Sequence, residues 1–238
     1  MNTKVYLHET IQITLDNRAN YFKHMTVDWA PTMKARKQKM VGIFGVFSST
    51  GSWPEVINLW EYDGFSGLAA SFDFETANVE AMRDPFFAEW SRKAYTLRHQ
   101  GYDRILIPAD FSPTIDELIA IGRIGHRLYY HERISIRPGQ AKTYLSLMEK
   151  EWLPVANDMG MELVGAYRTA GRNDSEVVVI WAVREWATWA SIEEAYDSSD
   201  RVAAWQRKTD GLAIDWRREV LCAAPLAPCF TGKHLAEI

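Results

Sequence analysis

The sequence predicts an α+β protein made of two tandem ferredoxin-like (β-α-β-β-α-β) units, whose four-stranded antiparallel sheets face each other as an α+β barrel. The first observation is an internal repeat, since YLHETIQI at 6–13 returns as YYHERISI at 129–136. The second is that both copies run through the same order of strand and helix patterns. The third is physical: helices cover one face of such a sheet, so a second unit can cover the other.

The two copies stay aligned along most of the chain. An offset of 123 residues pairs Trp29 with Trp152 and Pro31 with Pro154. The offset then becomes 121 where PEVINLW (54–60) meets SEVVVIW (175–181), and 115 where RILIP (104–108) meets EVLCA (219–223). A period above 100 residues leaves each unit large enough to hold its own core.

The repeat predicts a first unit at 1–111, a linker at 112–125 and a second unit at 126–238. Within the linker, Ser112 can cap a short helix and Pro113 can open it. These boundaries assign almost every residue to one of two equivalent units.

The elements of each unit follow from local patterns. An alternating β-branched strand comes first, and the helix after it should be bent or divided by Pro31 or Pro154. Next comes a hairpin, with strands around 40–49 and 55–63 in the first copy and around 162–169 and 176–183 in the second. A second amphipathic helix and a closing strand complete each unit.

The composition excludes several classes of protein. The formal charge of −4 offers no basic excess for nucleic acid or an anionic membrane surface. No apolar run approaches the roughly 20 residues of a membrane span, and the first residues do not resemble a signal peptide, which predicts a cytoplasmic protein. Cys222 and Cys229 are expected to be reduced and structural. Aromatic residues reach 13%, enough to line a core, an interface or a ligand pocket.

Several segments resemble the NIPSNAP family within the dimeric α+β barrel superfamily. They are IRPGQ (136–140), WLPVANDMG (152–160), LVGAY (163–167), VGIF (41–44) and above all EVINLWEYDGFSGLAA (55–70). The resemblance implies the barrel fold. It leaves the reaction open, because related members of the superfamily include haem enzymes and cofactor-free monooxygenases, decarboxylases and isomerases.

Strand alternation divides the candidate site residues between two faces. Tyr6 and His8 share one face of the first strand, and Glu9 lies on the other. If the more apolar face meets the helices, the histidine face points into the barrel and the glutamates need a polar partner on the helix side. If the assignment is inverted, Glu9 and Glu132 line the cavity. Because the first and third strands are central neighbours, we expect His8 near Trp60, and their counterparts His131 and Trp181 near each other.

Proton transfer by the paired histidines is the leading chemical hypothesis. The catalytic candidates are His8, His131, Tyr129, Arg133, Glu9 and Glu132, and the substrate-binding candidates are Tyr6, Asn58, Trp60, Tyr62 and Trp181. Because Arg133 corresponds to Thr10 in the first copy, the sequence favours a polar site nearer the second unit.

The sequence therefore predicts a small-molecule enzyme with an apolar barrel cavity. We expect cofactor-independent acid–base chemistry of the isomerase or lyase type, or oxygenation, on an aromatic, polyketide-like or terpenoid substrate. One alternative is a protein that binds haem or another hydrophobic ligand without turnover, with His8, His131 or His24 as haem ligand. Another is a non-catalytic oligomeric interaction subunit. No local cluster indicates a metal site, and the partners expected are a small apolar or aromatic molecule and, in a homodimer, a second copy.

Overall fold

The computed structural model describes residues 1–14, 17–29, 32–34, 36–76, 83–121 and 128–224. The chain divides into two compact units. The N-terminal unit is built around Thr3–Ile105, and the C-terminal unit is built around Leu106–Cys222. The predicted domain boundaries at 111/112 and 125/126 stay a prediction.

The N-terminal unit follows the β-α-β-β-α-β order. Its elements are β1 (Val5–Ile13), α1 (Arg18–Lys23), a π-helical turn (His24–Asp28), β2 (Lys39–Val46), β3 (Glu55–Tyr62), α2 (Gly64–Thr76), α3 (Pro85–Leu97) and β4 (Arg98–Pro108). The strands lie in the order β4-β1-β3-β2. This is the strand order of a ferredoxin-like sheet, with the first and third strands at its centre.

The C-terminal unit repeats this order after a short helix, α4 (Ile115–Ala120). Its elements are β5 (Leu128–Ile136), α5 (Ala141–Leu147), a π-helical turn (Met148–Trp152), α6 (Leu153–Asp158), β6 (Glu162–Thr169), β7 (Glu176–Val183), α7 (Trp186–Ser198), α8 (Asp200–Thr209) and β8 (Ala213–Ala223). The strands lie in the order β8-β5-β7-β6, and the pairs β5–β7, β5–β8 and β6–β7 are antiparallel. The prediction of α+β ferredoxin-like units is confirmed.

Two backbone irregularities recur at equivalent positions and show that the repeat extends to local geometry. The register of the β2–β3 pair shifts between Met40 and Gly42, and that of the β6–β7 pair shifts between Leu163 and Gly165, 123 residues later. Both units also contain a five-residue π-helical turn in the first helical region. In the C-terminal unit this turn ends just before Pro154, as the predicted division of the helix required. Pro31 lies outside the described residues.

The register of the central strands decides which side chains share a face. In the N-terminal unit, Glu9 lies opposite Asn58 and Leu7 lies opposite Trp60, whereas His8 lies opposite Leu59. Residues directly opposite each other in an antiparallel pair point to the same side of the sheet. The expectation that His8 lies beside Trp60 is therefore wrong, because the register differs by one residue from the one it assumed.

The same correction applies to the C-terminal unit. There Trp181 lies opposite Tyr130, and His131 lies opposite Ile180. Trp181 therefore shares a face with Tyr130 and Glu132 and not with His131. Both units thus place their glutamate and tryptophan on one face and their histidine on the other.

The short helix α4 begins two residues later than predicted. Thr114 is its N-cap and forms a capping box with Glu117, whose side chain accepts from the Thr114 backbone. Ser112 instead bonds the backbone of Ala166, donating to its carbonyl at 2.6 Å and accepting from its amide at 2.8 Å. Among the helices that the structure describes, none is long and apolar enough to cross a membrane.

Candidate functional site

Each unit contains a cavity on the face of its sheet that carries the glutamate. The cavity of the N-terminal unit has a volume of about 430 Å³, and helix residues Met25 and Trp29 line it together with Leu7 and Glu9 of β1. The cavity of the C-terminal unit has a volume of about 620 Å³ and is lined by Glu132 among others. These volumes suit small organic ligands. The two glutamates singled out by the sequence repeat therefore both reach a cavity, on the helix side of the sheet.

Glu9 is held in place by two hydrogen bonds across the β1–β3 pair. Its Oε2 accepts from the indole Nε1 of Trp60 at 2.6 Å and from the side-chain amide of Asn58 at 3.0 Å. Asn58 also donates to the hydroxyl of Tyr21 at 2.8 Å. Oε1 of Glu9 takes part in neither of these two bonds. The network fixes the carboxylate and provides the polar partners that a glutamate on the helix side requires.

A second carboxyl group, that of Asp103 on β4, lines the same cavity at its exposed edge. Partial burial raises the pKa of Asp103 to about 6, and the negative charge of Glu9 adds to this rise. The positive charges of Arg98 and Arg104, which line the cavity as well, oppose it. Glu75, which is paired with Arg36, also lines this cavity. The proximity of Glu9 to Asp103, whose carboxyl titrates near neutrality, forms an arrangement suited to acid–base chemistry.

We expect nuclear magnetic resonance titration to find the Asp103 carboxyl titrating near pH 6. In the Glu9→Gln variant its pKa should fall, because removal of a neighbouring negative charge makes the ionised form of Asp103 easier to reach. Asp63 is an internal control: its pKa is lowered by its hydrogen bond with Lys4, and it should stay where it is. An unchanged Asp103 titration in this variant would show that the two carboxylates do not interact.

The remaining walls of this cavity are mostly aromatic. Trp60, Phe72 and Trp90 contribute flat apolar surfaces. Tyr62 accepts a hydrogen bond from Gln38 at 2.7 Å, and burial raises its pKa to about 12, so its hydroxyl stays protonated at neutral pH. The cavity thus combines an apolar interior with carboxylates and guanidinium groups, a composition typical of sites that orient a small polar group on an apolar ligand.

In the C-terminal unit a cation neutralises the equivalent glutamate. Arg218 lies directly opposite Glu132 in the β5–β8 pair and donates to its Oε1 from Nε at 2.9 Å and from Nη2 at 2.7 Å. The indole of Trp181 donates to Oε2 at 3.0 Å. With the 115-residue offset of the closing strands, Arg218 corresponds to Asp103. The same position therefore carries opposite charges in the two units.

The predicted catalytic histidine cluster lies elsewhere. Both histidines are fully buried, and neither they nor Tyr129 and Arg133 are among the residues that line the two cavities. Nδ1 of His131 lies 3.6 Å from Oε2 of Glu219, whose Oε1 accepts from Arg133 at 2.6 Å. Tyr6 donates to Glu61 at 2.8 Å. Catalytic roles for His8, His131, Tyr129 and Arg133, and substrate binding by Tyr6, stay predictions.

The three candidate haem ligands, His8, His24 and His131, do not line the cavity of either unit. The ring of His24 stacks on Trp90 with centroids 4.6 Å apart, and its Nδ1 lies 3.4 Å from Asp28. His24, His8 and His131 all have side chains with no exposed surface. In the part of the chain that the structure describes, no group of three His, Cys, Asp or Glu side chains could hold a metal ion.

Comparison with solved structures assigns the fold. A proposed monooxygenase from Lactobacillus acidophilus NCFM matches 94% of this chain and 95% of its own, with a TM-score of 0.61 and 9% sequence identity. An anthrone oxidase-like protein matches 93% of this chain and 92% of its own, with a TM-score of 0.60 and 8% identity. The chain shares the α+β fold of these proteins.

NIPSNAP proteins are also among the structural neighbours. A NIPSNAP-like domain protein from Burkholderia xenovorans matches 48% of this chain and 92% of its own, with a TM-score of 0.40 and 16% identity. No protein-family model and no curated protein sequence matches this chain.

Sequence reasoning missed four charged residues of the site, namely Glu75, Arg98, Asp103 and Arg104. A signal for one of them was present in the repeat. The offset that pairs RILIP with EVLCA also pairs Asp103 with Arg218, one position earlier. A charge reversal at equivalent positions of a duplicated sheet marks a place where the two copies have acquired different chemistry.

Proposed function

We propose that this protein is a small-molecule enzyme that uses Glu9 and Asp103 for acid–base catalysis without a cofactor. The observation that carries the proposal is the presence of Glu9 and Asp103 in the aromatic cavity of the N-terminal unit, with the pKa of Asp103 raised to about 6. A general base acts best when its pKa lies near the working pH. The proposed reaction is abstraction of a proton from a carbon whose anion is conjugated with a carbonyl group of an aromatic, polyketide-like or terpenoid substrate.

Each group of the cavity has a role in this reaction. Ionised Asp103 accepts the proton, while burial and the charge of Glu9, which is held by Trp60 and Asn58, raise the pKa of Asp103. Negative charge then develops on the carbonyl oxygen of the substrate, and the positive charges of Arg98 and Arg104, which also line the cavity, stabilise it.

The walls support the substrate class. Trp60 and Trp90 offer flat surfaces for an aromatic ring, and a volume of about 430 Å³ limits the ligand to a few fused rings. The fold neighbours agree with this class, because one of them is an anthrone oxidase-like protein and another a proposed monooxygenase.

Removal of the proton leaves a carbanion on the substrate, and three different reactions can follow from it. Protonation at another carbon gives an isomer, loss of a leaving group gives a lyase product, and reaction with molecular oxygen gives an oxygenated product. All three require Asp103 and the arginines, so the first test concerns the common step. A homodimer and a cytoplasmic location stay predictions.

The test is hydrogen–deuterium exchange at the methylene group of anthrone, followed by nuclear magnetic resonance in oxygen-free D₂O. We expect exchange well above the buffer rate, and consumption of oxygen when air is admitted if the enzyme is an oxygenase. A panel of cyclic aromatic ketones extends the search. Binding by calorimetry without exchange for any member would identify a ligand-binding protein, and neither binding nor exchange would favour the interaction subunit.

A further inference from the structure

The cavity of the C-terminal unit has walls unlike those of its N-terminal counterpart. Its aromatic rings are packed against one another: Trp152 stacks on Trp205 with centroids 5.7 Å apart, and Tyr196 stacks on Trp216 at 6.0 Å. Tyr144 lies against Trp205 at 5.5 Å. All five line the cavity of about 620 Å³. A ligand in this cavity would therefore meet ring surfaces on several sides.

The polar residues of this cavity are predominantly acidic. Its lining includes four carboxylates, Glu132, Glu193, Asp197 and Asp210, and contains no lysine or arginine. Arg218 neutralises Glu132, and its Nη1 also lies 3.8 Å from Oε1 of Glu193, which accepts a short hydrogen bond from Tyr130 at 2.6 Å. Asp197 and Asp210 are exposed. The cavity thus retains a net negative charge, whereas arginines line the N-terminal cavity.

The rings of this wall already accommodate one cation. The guanidinium carbon of Arg218 lies 4.3 Å from the ring centroid of Tyr130, 4.4 Å from that of Tyr196 and 4.7 Å from that of Trp216. These distances are within the range in which a positive charge is attracted to an aromatic face. Two of the three rings, Tyr196 and Trp216, also line the cavity.

We propose that the C-terminal cavity is a second ligand site, which binds an organic cation with an apolar or aromatic body, such as a substituted amine or a quaternary ammonium compound. The stacked rings contact the body and attract the charge through their faces. The exposed carboxylates Asp197 and Asp210 supply the counter-charge. The site is independent of the proton-transfer chemistry proposed for the N-terminal unit.

Calorimetry with three probes that share a benzyl group tests this site in the full chain. The probes are benzyltrimethylammonium, benzyl alcohol and phenylacetate, which differ mainly in charge. We expect the cation to bind at least tenfold more tightly than the alcohol, and phenylacetate to bind more weakly still. Equal affinity for the cation and the alcohol, or absence of binding by the cation, would overturn the proposal.

Substitutions in the C-terminal cavity test whether the cation binds there. Asp197→Asn combined with Asp210→Asn should weaken cation binding at least fivefold with little effect on folding, because both side chains are exposed. Trp205→Leu should weaken it similarly, and thermal unfolding verifies that this variant remains folded. Asp215→Asn and Trp53→Leu, both outside the cavity lining, are matched controls that should bind as the parent does. Loss of binding in the controls alone would place the ligand elsewhere and refute the assignment.

Discussion

The Asp103→Asn variant is expected to lose about 10²–10⁴-fold in the rate of proton exchange from a bound aromatic ketone, the range that a positioned general base contributes. The amide that replaces the carboxylate has a similar shape but cannot accept the proton. Substrate affinity should change little, because the aromatic walls and the arginines remain. The measurement is the exchange rate at saturating ketone, followed by nuclear magnetic resonance.

The pH dependence gives an independent check of this role. A general base acts in its ionised form, so the exchange rate should rise as pH increases through about 6 and level off above it. In the Glu9→Gln variant the inflection should move to lower pH, because Asp103 then loses its proton more readily. Asp63→Asn, an exposed carboxylate outside the cavity lining, should leave both the rate and the profile unchanged. A full rate in Asp103→Asn would exclude Asp103 as the base.

Arg218→Met is expected to lower the free energy of unfolding by about 3–5 kcal/mol, the cost of leaving a buried charge without its partner. Glu132 has only 2% of its surface exposed and would lose its cation, while Tyr130, Tyr196 and Trp216 would lose the guanidinium packed between them. Denaturant unfolding followed by far-ultraviolet circular dichroism measures the change.

Two further variants separate loss of charge from loss of packing. Adding Glu132→Gln to Arg218→Met removes both charges and should recover a large part of the stability, since the uncompensated carboxylate is then absent. Arg217→Met changes a neighbouring arginine whose side chain is 72% exposed, and should alter stability by no more than about 0.5 kcal/mol. If Arg218→Met behaved like Arg217→Met, Glu132 would not depend on this ion pair.

The fold could be predicted because the repeat and the alternation of apolar residues each extend over complete strands and helices, and so determine the type and order of these elements. Equivalent bulges at Met40/Gly42 and Leu163/Gly165 show how closely the two copies agree. The position of a helix end depends on which of several neighbouring residues forms the cap. The sequence pattern was less informative about this choice. Thr114 provided a better cap than Ser112, because Glu117 could complete a capping box with it.

The site was predicted only in part, for a reason that lies in strand pairing. Alternation correctly separated Glu9 from His8 along β1, but it cannot decide which residue of β3 lies opposite either of them. Once Asn58 pairs with Glu9, Trp60 falls on the glutamate side and the cavity contains carboxylates instead of imidazoles. The presence of Asp103 in the cavity depends in addition on the position of β4 beside β1. The two strands are far apart in the sequence, so local patterns do not indicate that they are neighbours.

The reversal from Asp103 to Arg218 has a consequence for the evolution of such proteins. When a barrel is assembled from two identical subunits, a single gene encodes both, so every substitution appears twice and the two cavities must change together. Fusion of the copies into one chain removes that constraint. Selection can then act on catalysis in one cavity and on ligand binding in the other. Both units keep the same fold, but a substitution in one cavity no longer changes the other.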